Sequence, residues 1–209
     1  MQKYKFTGIT KEVYGRTLNQ IVCVTTFASI KSGEIGGYIE KEANLSQDGN
    51  AWVCGNAEVY GNAKVYGNAW VCEDAKVCGD AEVCEDAWVY GNAKVCEDAE
   101  VYGNAEVCGN AWVCGNAKVC GEAILRRGFT EKVTDYIVIG PQGTRSSFAT
   151  FHLHSKTVCT GCFVGNLNEF KKAVYKTHNP DQGRVTFNNQ YQRVIRVFEF
   201  LQEQDKDAQ

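Results

Sequence analysis

The sequence predicts a mainly β protein in which a long repetitive solenoid is followed by a small α+β domain. The first observation is a six-residue pattern, Gly/Glu, Asn/Asp, Ala, any residue x, Val, Tyr/Cys, which fills twelve consecutive hexads from Gly49 to Cys120. The second is that Ala, x, Val and Tyr/Cys alternate as in a short strand with one buried face. Repeats this short are typical of β-solenoids.

Residues 1–48 are predicted to cap the solenoid. An apolar strand at residues 21–24 and a turn at Ser32 and Gly33 precede a related hexad, KEANLS, at residues 41–46. A terminal cap keeps the open edge of a solenoid from pairing with another molecule.

Residues 49–126 are predicted to form the solenoid itself. The Ala and Val of each hexad should point inward, while x and Tyr/Cys should point outward. The Gly-Asn and Glu-Asp pairs should form the corners, because Gly, Asn and Asp tolerate the left-handed backbone conformation better than other residues.

The repeated unit resembles the bacterial hexapeptide repeat. That resemblance implies a left-handed parallel β-helix of triangular cross-section, with three hexads in each coil and about four to five coils in all. An 18-residue coil aligns the x positions in three columns. The first column is Trp52, Trp70, Trp88 and Glu106; the second is Glu58, Lys76, Lys94 and Trp112; the third is Lys64, Glu82, Glu100 and Lys118.

The tryptophan column is predicted to be covered. Three indoles in register form more apolar surface than a soluble protein usually leaves in water. Hexapeptide proteins are commonly trimers, so the resemblance implies a homotrimer that associates through Trp52, Trp70 and Trp88. The alternative is that the chain's own C-terminal domain folds back over these residues.

Both ends of the chain resemble known families. Residues 18–46, through Gly36, Gly37 and the stretch EANLS, resemble the segment that leads into the coils of YdcK-type hexapeptide proteins, where a Gly-Gly turn precedes the first coil. The phrases DYIVIGPQGTRSSFATF and CTGCFVGNLNEFKKAVYKTH resemble a module that follows hexapeptide repeats in phage and prophage proteins of Gram-positive gut bacteria. Neither resemblance implies an established reaction.

Residues 127–209 are predicted to form the α+β domain. We expect strands at 135–139, 147–154 and 156–164, a turn at 140–144, and helices at 167–178 and 188–203. Asn166 or Asn168 should cap the first helix. The buried helix positions should be Leu167, Phe170, Val174 and Tyr175, followed by Tyr191, Val194, Ile195, Phe198 and Leu201.

Charge and composition exclude several classes of function. Residues 49–120 carry 4 Lys against 11 Asp and Glu, within a chain of net charge −3, so the rod is not expected to bind extended nucleic acid. No run of about 18 apolar residues predicts a membrane span, and the first residues lack the apolar core of a signal peptide. We therefore expect a protein of the bacterial cytoplasm whose 11 cysteines are reduced thiols.

Catalysis and metal binding have little support in the sequence. Hexapeptide acyltransferases use a histidine as general base, and this repeat contains none. His152 and His154 could act as a base, or could bind a metal with Cys159 or Cys162, but a polar strand beside two small thiols is the simpler interpretation. We expect no catalytic residue, no metal and no cofactor.

The strongest candidate site is a glycine-containing turn in a basic region. Glycines bring backbone N–H groups close to a ligand, and nearby Arg and Ser side chains donate hydrogen bonds suited to phosphate. The candidate ligand-binding residues are Arg126, Arg127, Gly143, Thr144, Arg145, Ser146, Ser147 and His152.

These observations lead to a hypothesis with two alternatives. The sequence favours a non-catalytic oligomeric binding protein, encoded by a phage or prophage, that holds a small phosphorylated or nucleotide-like ligand. Such a protein could sequester a host nucleotide immune signal. The alternatives are a structural or protein-interaction rod and an acyltransferase-like enzyme.

Overall fold

The computed structural model describes residues 2–142, 147–161, 163–179 and 185–207. It shows a three-sided β-solenoid of about five turns, followed by a small domain of strands and two helices, so the predicted fold class is confirmed. The domain boundaries at residues 48 and 126 stay predictions.

The cap and the solenoid contain fifteen strands among the described residues. Three longer strands form the cap: β1 (Tyr4–Val13), β2 (Arg16–Cys23) and β3 (Ile35–Ile39). The solenoid follows with β4 (Trp52–Val53), β5 (Glu58–Val59), β6 (Lys64–Val65), β7 (Trp70–Val71), β8 (Lys76–Val77), β9 (Glu82–Val83), β10 (Trp88–Val89), β11 (Lys94–Val95), β12 (Glu100–Val101), β13 (Glu106–Val113), β14 (Lys118–Val119) and β15 (Ile124–Thr130).

The parallel register confirms the three predicted columns. Trp52 pairs with Trp70, Trp70 with Trp88, and Trp88 with Glu106 on what we call the first face. The second face carries Glu58, Lys76, Lys94 and Trp112 in sequence. The third face carries Lys64, Glu82, Glu100 and Lys118. A coil therefore takes 18 residues along most of the rod.

The interior of the solenoid is built from Ala and Val, as predicted. Each Ala and Val of the twelve hexads is buried. Burial of a Val side chain contributes about 1.5 to 3 kcal/mol, and backbone N–H and C=O groups of successive coils pair around the circumference. The core is therefore a narrow apolar prism that continues from coil to coil.

Three corners place glutamate in the left-handed region, where glycine is otherwise used. Glu73, Glu85 and Glu97 have φ of 61°, 57° and 61°. The carboxylate of Glu85 accepts a hydrogen bond from the Gly103 N–H at 2.8 Å, and that of Glu97 accepts one from Gly115 at 2.8 Å. These bonds to the next coil offset the conformational cost of a side chain at positive φ.

The cap continues the second face of the solenoid. Strands β1 and β2 form an antiparallel hairpin, β3 pairs with β2, and β3 also pairs in parallel with β5. Gly36 and Gly37 lie within β3, so the expected Gly-Gly turn is wrong. A Cβ at Gly36 would be 2.5 Å from Ile21 Cγ1 and 2.7 Å from the Val53 carbonyl oxygen. Glycine is needed there because the cap packs directly on the first coil.

The cap also covers the first tryptophan. Trp52 is 0% exposed, and the Phe27 ring packs edge-on against its indole at a centroid distance of 5.5 Å. Neither a second subunit nor the C-terminal domain is needed to bury Trp52. Trp70 and Trp88 stack on each other at 5.8 Å, and Trp88 remains 50% exposed.

The expectation that all cysteines are thiols is wrong for one pair. Cys54 and Cys72 form a disulfide, and their Cα atoms are 4.6 Å apart. Because neighbouring coils are separated by one strand spacing, two cysteines in the same slot lie within the Cα distance that a disulfide requires. The expected cytoplasmic location predicts reduced thiols, but it does not account for the close approach of cysteines on adjacent coils.

The last coil departs from the 18-residue period. Val107 pairs with Leu125, but Asn110 pairs with Arg127 and Trp112 with Phe129. The corner between these pairs is one residue shorter on β15 than on β13. As a result Arg127 and Phe129 extend the alignment of the solenoid at positions that the hexad pattern does not predict.

The C-terminal domain is an antiparallel sheet packed against two helices. Its elements are β16 (Tyr136–Gln142), β17 (Ser147–His152), β18 (Thr157–Thr160), β19 (Phe163–Asn166), α1 (Leu167–Thr177) and α2 (Val185–Asp207). Gly140–Gln142 continue β16, so the turn predicted from residue 140 is wrong over these residues, and residues 143–144 lie outside the described residues. In the described residues, neither helix is long and apolar enough to cross a bilayer.

Most of the predicted helix positions are buried. Asn166 caps α1: its side chain accepts the Glu169 N–H at 3.0 Å, and Glu169 accepts the Asn166 N–H at 2.8 Å. The residues that pack together include Leu167, Phe170, Val174, Tyr191, Val194, Ile195 and Phe198, with Leu201 at the margin. Tyr175 is exposed, so its predicted burial is wrong.

Hydrogen bonds attach the C-terminal domain to the last coil. The Ile124 N–H donates to Thr150 Oγ1 at 2.9 Å, and the Tyr136 hydroxyl donates to the Lys118 carbonyl at 2.7 Å. Strand β15 also contacts β17 and β18. These contacts hold the domain against the end of the rod.

Candidate functional site

The structure brings together only part of the predicted anion site. Gly143, Thr144, Arg145 and Ser146 lie outside the described residues, and Ser147 is the first residue of β17. Arg126 Nη2 donates to the Gly161 carbonyl at 2.7 Å, so this guanidinium holds the two domains together. Arg127, its neighbour on β15, is exposed.

His152 has a structural position. Its ring is buried, Nε2 lies 2.7 Å from Thr130 Oγ1, and Nδ1 accepts the Ser155 N–H at 3.1 Å. Burial and the nearby His154 lower the pKa of His152, which favours the neutral ring. Both ring nitrogens are occupied, so His152 is poorly placed to contact a ligand or accept a proton from a substrate.

His154 pairs with a carboxylate and not with a metal site. Its Nε2 lies 3.1 Å from Asp135 Oδ1. Burial would raise the pKa of Asp135, but N–H groups of Lys132 and Glu131 and the His154 ring lower it overall. Within the part of the chain that the structure describes, no group of three or more His, Cys, Asp or Glu side chains is arranged to hold a metal ion.

A groove on the second face is a stronger candidate site. It has a volume of about 360 Å³ and is lined by Asn92, Lys94, Asn110, Ala111 and Trp112. The Lys94 Nζ lies 5.3 Å from the centre of the Trp112 ring system, and Asn92 Nδ2 donates to Asn110 Oδ1 at 3.3 Å. The groove therefore combines an aromatic wall with a cation and two amides.

The last coil adds a second aromatic ring and a second cation beside this groove. Phe129 follows Trp112 in register, and the two rings meet edge to face at 5.4 Å. Arg127 follows Asn110 in the same way. Trp112 is 45% exposed and Phe129 42%, although aromatic residues of this size are usually better covered.

The cations of this surface differ from other lysines on the rod. Lys64 pairs with Glu82 at 3.0 Å, Lys118 with Glu100 at 2.9 Å, and Lys76 with Glu58 at 2.9 Å. Among the described residues, Lys94 and Arg127 have no carboxylate partner within ion-pair distance. Positive charge is therefore available here on an otherwise acidic solenoid.

Sequence reasoning identified only Arg127 of this surface as a site residue. The predicted second column placed Lys94 beside Trp112, and that neighbourhood was the signal available in advance. Arg127 and Phe129 align with Asn110 and Trp112 only because the corner before Arg127 on β15 is one residue shorter than the matching corner on β13.

Comparison with known proteins supports the repeat architecture. A family model described as YdcK Beta solenoid repeat matches residues 57–73, which include β5, β6 and β7. The match lies within the solenoid and not in the leading segment at residues 18–46. No curated protein matches the chain. The fold and this match fit a structural or binding protein built on a β-helix repeat.

Proposed function

We propose that this protein is a non-catalytic binding protein that holds a small phosphorylated or nucleotide-like ligand in the groove beside Trp112. The observation that carries the proposal is the position of exposed Trp112 and Phe129 between two cations that lack carboxylate partners, Lys94 and Arg127. The ligand-binding residues predicted at positions 143–147 are not needed for this site.

The groove matches the two chemical parts of a nucleotide. A base can stack on the exposed indole, an interaction worth about 1 to 3 kcal/mol per base. Phosphate oxygens can accept hydrogen bonds from the lysine and arginine, which are stronger than bonds between neutral groups. The amides of Asn92 and Asn110 can then select among bases or sugars, since each amide offers a donor and an acceptor.

The proposed biological role follows from the C-terminal resemblance. If the module belongs to a phage or prophage protein, removal of a host nucleotide immune signal from solution would require binding and no chemistry. Of the two histidines that could serve as a base, His152 is buried with both ring nitrogens hydrogen-bonded, and His154 pairs with Asp135.

Calorimetry tests this proposal. The panel should contain mononucleotides, cyclic dinucleotides, a nucleoside and inorganic phosphate, so that stacking and charge are measured separately. We expect Trp112→Ala to weaken nucleotide binding about 5- to 100-fold, the loss of one stacked base. Lys94→Ala should weaken binding and reduce its salt dependence.

Matched controls lie on the third face. Tyr66→Ala removes another partly exposed aromatic ring, and Lys64→Ala removes another lysine of the x column. Both variants should bind as the unmodified protein does. The proposal is wrong if nothing in the panel binds, or if Trp112→Ala binds with unchanged affinity.

A second candidate function, assembly, is favoured by the stacked pair on the first face. Trp70 and Trp88 form an apolar surface that the chain leaves partly open, whereas Trp52 is already buried. We propose self-association through Trp70 and Trp88, with the homotrimer as the expected form and a protein-interaction rod as the alternative role.

Mass photometry tests the assembly. Trp88→Glu places a charge on a half-exposed position, so it should dissociate the oligomer without unfolding the chain. Trp112→Glu is the matched control, because it places the same charge on an exposed tryptophan of the second face. A monomeric unmodified protein, or an oligomer that persists in Trp88→Glu, would contradict this part of the proposal.

A further inference from the structure

Three free cysteines form a continuous column on the second face. Cys78, Cys96 and Cys114 occupy the same slot of successive coils, because Val77 pairs with Val95 and Val95 with Val113 immediately before them. Tyrosines interrupt the other columns: Cys84 has Tyr66 before it and Tyr102 after it. Stacked free thiols are therefore a particular property of this column among the described residues.

The middle thiol contacts both of its neighbours. Cys96 lies close enough to Cys78 and Cys114 to shift the pKa of both thiols, and Trp112 Nε1 donates to Cys96 Sγ at 3.1 Å. The Tyr60 hydroxyl also acts on the pKa of Cys78. Cys78 and Cys96 are partly exposed, so small solutes in water can reach them.

The Cys54–Cys72 bond shows that this slot accommodates a disulfide between adjacent coils. Its Cα separation is 4.6 Å, which the regular strand spacing reproduces at every coil step. The pairs Cys78–Cys96 and Cys96–Cys114 are related by the same step. Cys96 can bond to only one neighbour at a time, so one thiol of the column always remains free.

We propose that Cys78, Cys96 and Cys114 form a two-electron redox site that reduces hydrogen peroxide and retains the oxidation as a disulfide to Cys96. The Cys78 thiolate attacks the peroxide oxygen, the O–O bond breaks, and the leaving hydroxide is protonated to water. The Cys96 sulfur then attacks the resulting sulfenic acid, the S–O bond breaks, and the hydroxide leaves as water with the Cys96 proton. Two thiols have then supplied the two electrons.

The difference in pKa between Cys78 and Cys96 supports Cys78 as the attacking group. The neighbouring Cys96 thiol, together with Tyr60 and the charge of Arg16, lowers the pKa of Cys78 despite its burial. The same contact and burial raise the pKa of Cys96. The thiolate is the reactive form of cysteine, so the first step falls to Cys78.

The free thiol gives the site a second step. The Cys114 thiolate can attack the Cys96 sulfur of a Cys78–Cys96 disulfide, which forms Cys96–Cys114 and releases Cys78 as a thiolate. No electrons are gained or lost in this exchange. Either disulfide removes the thiol environment that now accepts the Trp112 N–H, so oxidation should change the indole that lines the groove.

Peptide mapping tests the redox step without any ligand. The protein is treated with one equivalent of hydrogen peroxide, alkylated and cleaved after lysine, which leaves Cys78 in residues 77–94 and Cys96 and Cys114 together in residues 95–118. We expect a disulfide-linked pair of these peptides, or residues 95–118 two hydrogens lighter and unalkylated at Cys96 and Cys114.

Variants separate the proposal from general oxidation. Cys96→Ser should abolish both products, Cys78→Ser should also abolish both because it removes the attacking thiolate, and Cys84→Ser should retain both. The double variant Cys78→Ser with Cys114→Ser provides another way to remove both disulfides while Cys96 stays. The proposal is overturned if Cys96→Ser gives the same products, or if peroxide yields sulfinic acids without a disulfide.

An NMR measurement reads the effect on the groove. The indole N–H resonance of Trp112, assigned with Trp112→Phe, should shift on oxidation, while that of Trp88 should stay unchanged. An unchanged Trp112 signal in fully oxidised protein would overturn the coupling to the groove. Only the regulatory meaning of this coupling rests on the proposed function, because both measurements are made without nucleotide.

Discussion

Trp52 and Trp112 fill the same slot of the hexad near opposite ends of the solenoid, yet their surroundings differ. The cap covers Trp52 completely through Phe27, whereas Trp112 is 45% exposed. The C-terminal domain attaches to the last coil through Ile124 and Tyr136 and leaves this surface open. The difference teaches that the repeat determines the direction of a side chain, while the flanking segments determine whether that side chain is buried in the fold or left exposed to solvent.

The largest expected difference between the two ends is in the free energy of unfolding that is lost when each indole is removed. Trp52→Ala should lower the free energy of unfolding by about 3 to 5 kcal/mol, because it leaves a cavity between the cap and the first coil. Trp112→Ala should lower it by less than about 1 kcal/mol. Urea denaturation measures both values. Equal losses would show that the two ends do not differ in packing.

The two ends of the second face also differ in how their charges are paired: Glu58 at the cap end has two lysine partners, whereas Lys94 near Trp112 has no carboxylate partner among the described residues. Glu58 is buried under the cap, 2.9 Å from Lys11 of β1 and 2.9 Å from Lys76. Burial would raise the pKa of Glu58, but the ion pairs with Lys11 and Lys76 lower it below its usual value. Glu58→Gln should cost about 1 to 3 kcal/mol at neutral pH.

The pH dependence of this variant has a definite sign. Because the folded-state pKa of Glu58 is lowered, its contribution is present above pH 4.5 and is lost as the pH falls through the folded-state value. The difference between the unmodified protein and Glu58→Gln should therefore shrink in acid. A difference that stays constant from pH 7 to about pH 3 would contradict the role of the carboxylate charge.

Substitution of Glu97, at a corner between the two ends of the solenoid, should have the smallest effect on stability. Glu97→Ala keeps a side chain at positive φ and loses the hydrogen bond from Gly115, so it should cost about 1 kcal/mol. Glu97→Gly also removes the conformational cost and should stay within about 0.5 kcal/mol of the unmodified protein. Thermal denaturation compares the two variants. A more stable Ala variant would show that the hydrogen bond does not compensate for the backbone conformation.

The regular part of the fold could be predicted because its determinants are local. Ala and Val recur every six residues, so strand direction and core composition follow from one period. The alignment of Trp52, Trp70 and Trp88 also needs the three-hexad coil that the resemblance to the hexapeptide repeat implies. The start of α1 was likewise predicted from nearby residues, with Asn166 or Asn168 as the cap, and Asn166 fills that position. These predictions need no knowledge of which distant segments meet.

The remaining features depend on contacts between distant segments or on a break in the period. The burial of Trp52 depends on Phe27, which lies outside the repeat, and the close packing of Gly36 depends on Ile21 and Val53. The second aromatic ring beside the groove depends on a shortened corner that aligns Phe129 with Trp112. The hexad pattern places Cys54 and Cys72 in the same slot of adjacent coils, but the expected cytoplasmic location led to the prediction that both are thiols.

Because each coil takes 18 residues, the length of the solenoid is a whole number of coils, each one strand spacing long. Deleting or duplicating one coil in the middle of the rod would move the cap relative to the groove by about 4.8 Å and would leave both ends intact, since each coil touches only its neighbours. Length could thus change in evolution or by design in whole steps. A partner that binds both the cap and the groove would therefore lose affinity when one coil is added or removed.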